Sequence, residues 1–133
     1  MFDGNNPTYQ ASGNISPSRF VALVSGTDYT VTQCVAAGNP VGISHKGTEA
    51  WDSVYAATDG RGVGVHGPGS TALLELGGVV SAGDYLAPDA NGKGVAVSLT
   101  ATAHDDYGAF ALRNGLSGEL ITVKVVKFSG PMA

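Results

Sequence analysis

The sequence predicts an all-β protein, a small antiparallel β-barrel or β-sandwich with an extended N-terminal arm, and three observations predict it. The first is Asn91-Gly92, set between Tyr85-Leu86 and the run Val95 to Val97. Both central positions of this tight turn can take positive φ, so the flanking apolar residues fold back on each other as a hairpin. The second is composition: 20 of the 133 residues are glycine and only 14% are charged, a mixture that favours many short strands joined by glycine turns over a helical bundle. The third is the stretch Leu120 to Phe128, where Leu120, Thr122, Lys124 and Val126 alternate with Ile121, Val123 and Val125 in the two-residue period of a strand.

Taken in order, residues 1 to 18 differ in composition from the rest, being rich in Asn, Ser, Gly and Pro with Phe2, Tyr9 and Ile15 as isolated apolar points. Too few apolar groups lie together to offset the entropy of ordering this stretch alone. It reads either as a frayed terminus or as an arm that orders against another subunit, followed by a single β domain over residues 19 to 133. Arg19 to Ser25 is the first expected strand, ended by Gly26-Thr27-Asp28, and Tyr29 to Ala36 is the second. Gly38-Asn39-Pro40 turns the chain into a brief strand over Val41 to Ser44. Thr48 can cap a helical turn that puts Trp51, Val54 and Tyr55 on one stripe, with a loop pinned by Trp51 as the alternative. Arg61 to Gly69 and Ser70 to Leu76 supply two more strands. After the Asn91-Gly92 hairpin, a polar loop over Leu99 to Asp106 leads into a short strand, Gly108 to Leu112. Asn114-Gly115-Leu116-Ser117-Gly118 then reverses the chain into the last strand. About nine short strands at regular spacing describe a barrel or sandwich, and no internal repeat stands out.

The formal charge of −4 and the absence of a Lys/Arg cluster argue against nucleic-acid binding. No run approaches the length of a membrane helix, residues 1 to 7 lack the basic and apolar parts of a signal peptide, and the single cysteine, Cys34, has no internal disulfide partner. These features fit a protein made in a reducing compartment, or one indifferent to redox state. Sparse charge also leaves much neutral and apolar surface, which points to association.

Residue patterns for catalysis or metal binding fail one by one. His45, His66 and His104 match no ligand spacing, border turns, and read as solvated loop histidines. Asp105-Asp106 and Asp84 with Asp89 offer no carboxylate pair with one pKa raised. Asp89-Ala90-Asn91-Gly92 lacks the glutamate that would complete a calcium loop, Thr100 standing there instead. Gly60 to Gly64 lacks the Lys-Ser/Thr pair of a phosphate loop and reads as a strand closely approached by another backbone. Cys34 reads as a buried small hydrophobe. The chain is accordingly read as a non-enzyme without cofactor or metal.

Ile15 to Val21, Thr30 to Cys34 and Pro40 to Thr48 resemble the opening of small tailed-bacteriophage capsid decoration, or cement, proteins. Gly77 to Leu86, Asp89 to Gly94, Gly108 to Leu112, Gly118 and Val123 to Val126 are similar to the remainder of that pattern. The resemblance implies a small β-barrel or β-sandwich that trimerises on the outer surface of the virion head, near local threefold axes. It would bridge subunits of the major capsid protein through an N-terminal arm and hold the head against the pressure of packed DNA, with no direct nucleic-acid or membrane contact. Under this reading Phe2, Tyr9, Ile15, Arg19 and Phe20 are the expected capsid-binding anchors, because aromatic residues and Arg most often carry interface energy. Two alternatives stand beside it. One is a carbohydrate- or receptor-binding β domain on the virion surface with Trp51, Tyr55 and His45 as its platform. The other is a hydrolase using His66 or His104.

Overall fold

The computed structural model describes residues 9–35, 40–45, 54–97 and 107–128, and these contain ten strands and no helix. The first five are β1 (Tyr9–Ala11), β2 (Phe20–Leu23), β3 (Thr30–Gln33), β4 (Gly42–His45) and β5 (Gly62–His66). They close into a barrel in the order β1-β3-β2-β4-β5, in which β1 runs parallel to β3 and antiparallel to β5. The other five are β6 (Thr71–Glu75), β7 (Tyr85–Pro88), β8 (Gly94–Ala96), β9 (Tyr107–Ala111) and β10 (Leu120–Phe128), forming a sheet in the order β6-β10-β9-β7-β8. This sheet curls until Leu76, just past β6, bridges Gly94 at the start of β8. The all-β expectation holds, with barrel and curled sheet both present. Of the expected helix, Thr48 and Trp51 lie outside the described residues, while Val54 to Ala56 are bends. The expected loop over Leu99 to Asp106 also lies outside them.

Strand β1 falls inside the expected extended N-terminal arm. Instead it is a stave of the barrel, with Ala11 and Ile15 fully buried, so the structured domain begins by Tyr9 and no boundary falls at Ser18. Residues 9 to 18 bury their few apolar groups against β3, β5 and Ala57, and that pairing supplies the contacts the segment lacks by itself.

Two cores result. Inside the barrel, Ala11, Ile15, Val21, Val31, Ala56, Ala57, Val63 and Val65 pack together. Between barrel and sheet, Phe20, Cys34 and Ile43 meet Leu74, Leu76, Val80, Leu86, Ile121 and Val123. Strand alternation explains the division, since successive residues of β2 face opposite ways, Val21 into the barrel and Phe20 onto the sheet. Burying a side chain such as Phe20 or Ile43 contributes roughly 1.5–3 kcal/mol.

A repeat of structure underlies both halves, contrary to expectation. In the first half, Ile15 and Ala57 exchange backbone hydrogen bonds of 2.9 and 3.3 Å. In the second, Val80 and Gly115 exchange two of 2.9 Å. Each bridge residue is followed three positions later by a residue with positive φ: Ser18 (59°), Gly60 (82°), Gly83 (93°) and Gly118 (88°). Gly60 N–H donates to Ala11 O, as Gly83 N–H does to Ala111 O, both at 2.9 Å. The Oδ1 of Asn14 accepts from Asp59 N–H, and that of Asn114 from Ala82 N–H. The loop β1–β2 thus matches the loop β9–β10, and the approach to β5 matches the approach to β7. Only Ala11/Ala111, Asn14/Asn114 and Gly60/Gly83 keep the same residue at these paired positions, which is why the repeat hides in the sequence.

Candidate functional site: the outer face of the second sheet

Of the expected anchors, Phe2 lies outside the described residues. Ile15 and Phe20 are fully buried, one in each core, so neither can reach a partner's surface. Arg19 is turned inward as well: its Nη2 lies 3.2 Å from Glu75 Oε1 and its Nη1 donates to Asn91 O at 2.9 Å. Lys93 Nζ completes the cluster 3.1 Å from Glu75 Oε2. Together with the bond from Phe20 N–H to Gly92 O, 2.8 Å, these contacts fasten the β7–β8 turn to the barrel. Gly92 is required there, since its φ is +76° and a Cβ would lie only 3.0 to 3.3 Å from Gln33, Phe20 O and Cys34 O. Partial burial pushes the Glu75 carboxyl pKa up, but the hydrogen bond from Lys93 and the charge and hydrogen bond of Arg19 outweigh it, leaving the pKa lowered. Arg19 is a structural staple between the halves. Tyr9 and, to 14% of its side chain, Arg19 are the described anchors that keep some accessible surface.

The accessible apolar groups gather elsewhere. On β6, β10 and β9 the inward residues Ala72, Leu74, Ile121, Val123, Ala109 and Ala111 are buried, and the alternate positions face out. Leu73 lies directly across from Thr122, whose carbonyl accepts from Leu112 N–H, and Leu120 pairs with Glu75. Leu73, Leu112 and Leu120 are 51%, 45% and 50% exposed. The next row along the same face runs Thr71, Lys124, Phe110, Tyr85, with the last two rings 5.7 Å apart edge to face. Val79 and Leu116, also exposed, lie at the neighbouring corner. The signal for this face was in the sequence, as the Leu120, Thr122, Lys124 half of the β10 alternation; its partners on β6 and β9 required the register.

No protein-family model and no curated protein matches the sequence. Among solved structures, the chain is similar to the head fiber gp8.5 N base of bacteriophage phi29, with a TM-score of 0.63 and 20% identity, over 96% of this chain and 98% of that one. At this identity the likeness is one of fold, and it extends across both the barrel and the second sheet.

Two histidines expected in solvated loops stand instead on adjacent strands. His45 of β4 lies across from Gly64 of β5, and the place a Cβ would take at Gly64 is filled by the His45 imidazole, so a side chain and not a backbone makes the close approach. The rings of His45 and His66 are 4.3 Å apart between centroids and tilted by 36°. Burial lowers the His66 pKa, and the charge of His45 lowers it further. His104 and Trp51 lie outside the described residues, which leaves Tyr55 and His45 of the expected platform. Among the described residues no three His, Cys, Asp or Glu side chains converge on a metal-sized site.

Proposed function

We propose that this chain is a phage head decoration, or cement, protein that binds the outer surface of the assembled capsid and stabilises it against internal DNA pressure by bridging subunits of the major capsid protein. The observation that carries this reading is the outer face of β6, β9 and β10, with three half-exposed leucines in a chain of few charges. Neighbouring exposed apolar side chains on a sheet face support contact with another protein. The barrel has no free strand edge, so association by strand addition is disfavoured there and contact falls to side-chain faces. The likeness of fold to a phage head fiber base supports a virion setting.

The role is contact without catalysis. A homotrimer touching several capsid subunits adds interactions that must break before any one subunit leaves. Three linked copies also raise the effective concentration of each contact, so weak single contacts give long residence. The test is co-sedimentation of the purified chain with undecorated heads, expanded and unexpanded. Saturable binding that raises the heat resistance of the heads, weakened at least tenfold by Leu73→Asp with Leu120→Asp, is expected. Binding to neither form of head overturns the proposal.

A further inference from the structure

The tip of the β2–β3 hairpin carries a second surface, separate from the sheet face. An open concavity of about 680 Å³ is lined by Tyr9, Leu23 and the turn Val24 to Tyr29. A second of about 290 Å³ adjoins it through Val24 and Thr27, and runs on over Gln10, Ser12 and Asp59. The two concavities lie side by side at the end of the barrel, sharing Val24 and Thr27 in their walls, and the larger is in the size range of small-ligand sites.

We propose that this groove binds a neutral oligosaccharide of two or three sugar units, independently of the capsid contact proposed above. The first reason is its aromatic wall. The rings of Tyr9 and Tyr29 lie 6.3 Å apart at 56°, and Tyr29 and Leu23 are 61% and 54% exposed. An exposed tyrosine offers a rigid ring face to the C–H face of a pyranose and a hydroxyl to its rim. The second reason is backbone strain. Tyr29 holds φ at +50°, a left-handed conformation that costs a bulky residue on the order of 1–3 kcal/mol and is usually left to glycine. The neighbouring contacts hold it there: Tyr29 O accepts from Gln10 N–H at 2.8 Å, and Thr30 Oγ1 donates to Asp28 O at 3.0 Å. The strain presents the ring to the groove.

The third reason is polarity. Asp28, Ser25 and Thr27 stand beside the aromatic wall, and Ser12, Gln10 and Asp59 continue along the groove, a set of acceptors and hydroxyls suited to sugar hydroxyl groups. Among the described residues no Lys or Arg lines either part, while Asp28 and Asp59 do, which disfavours an anionic polysaccharide or a nucleic acid. An extended peptide is disfavoured because both edges of β1 and β3 are already paired, leaving no ladder to extend.

The test is a heteronuclear NMR titration of the full chain with chitotriose, maltotriose and cellotriose, with dextran sulfate and an unstructured decapeptide as controls. Shifts confined to residues 9 to 12, 23 to 30 and 59 to 60, saturating with a Kd on the order of 1 mM for at least one trisaccharide, are expected. Tyr29→Gly serves as the deciding variant, because glycine relieves the strain: its Tm should equal or exceed that of the parent while binding weakens about tenfold or more. No shift with any trisaccharide, shifts outside the groove, response to dextran sulfate or the peptide alone, or undiminished binding by Tyr29→Gly would each overturn the proposal. None of these outcomes bears on binding to heads.

Discussion

The Ile15/Ala57 corner and the Val80/Gly115 corner share one backbone and divide their side chains in opposite ways. At the first, Ile15 fills the space beneath the bridge, and the residue bonded to the loop from the neighbouring strand is Ser44, small and buried. At the second, the bridge position is Gly115, and the residue in the place of Ser44 is Leu76. A Cβ on Gly115 would come within 2.5 Å of Leu76 Cδ1 and 2.7 Å of Ile121 Cγ2. One corner is large plus small, the other small plus large. What is repeated is the hydrogen-bond geometry and the presence of one large aliphatic side chain per corner, supplied from either side of the contact, because interiors are packed to nearly constant density whichever residue supplies the atoms.

This comparison can be broken most severely at Ile15. Ile15→Gly removes a fully buried side chain with no Leu76-like neighbour to fill the gap, and should cost about 3–5 kcal/mol in chemical denaturation, with part of the loss from backbone entropy. The reciprocal change, Gly115→Ile, overpacks the second corner and should cost about 1–3 kcal/mol. Adding Leu76→Ser to it transplants the first corner's arrangement, and the double variant should be more stable than the sum of the two single losses by about 0.5–3 kcal/mol. Strict additivity would show that the corners are not equivalent.

The positive-φ positions sharpen the comparison more gently. Three of the four are glycine and one is Ser18, so Ser18→Gly should stabilise slightly, within about 1 kcal/mol, while Gly118→Ser destabilises by a similar amount. Equal changes of the same sign in thermal melts would contradict a shared geometry.

The smallest effects are those of pH, and they too divide between the halves. His66 belongs to the barrel and its pKa is lowered in the fold, so the unfolded chain binds the proton more readily there and stability falls as pH drops below the ordinary histidine value of 6.5. Glu75 belongs to the sheet and its pKa is also lowered, so its contribution is present above the ordinary value of 4.5 and is lost as pH falls through the folded value. Stability measured from pH 8 to pH 3 should show two separate declines, the upper removed by His66→Gln and the lower by Glu75→Gln. Both groups are partly solvated, so each decline should be shallow.

Much of the strand pattern was legible because it is local. The β10 alternation, the β7–β8 hairpin and the chain reversal at Asn114 to Gly118 follow from side-chain period and allowed φ, although the hairpin connection runs from Asp89 to Lys93 and only Gly92, not Asn91, takes the expected positive φ. The short segment Tyr9–Ala11 was illegible for the opposite reason. Three residues with one exposed polar side chain carry no period, and they become a strand only because β3 and β5 offer both edges. The burial of Ile15 and Phe20 and the ion pair of Arg19 with Glu75 were illegible for the same reason: an aromatic residue or an arginine reads alike in a core and at an interface, and its surroundings are set by neighbours distant in sequence. The sheet face shows both sides of the matter. Leu120 was visible on one half of the β10 alternation, while its outward direction and its neighbours Leu73 and Leu112 came only from burial and from pairing across β10.

By itself, then, the sequence determined an all-β chain with glycine-rich turns, sparse charge and a dominant final strand, since these depend on backbone conformational preference and composition. Tertiary structure alone decided that five strands close into a barrel, that two corners repeat one geometry with exchanged volumes, and which apolar residues remain outside. Those outcomes depend on long-range register and on packing volume, which no residue carries alone.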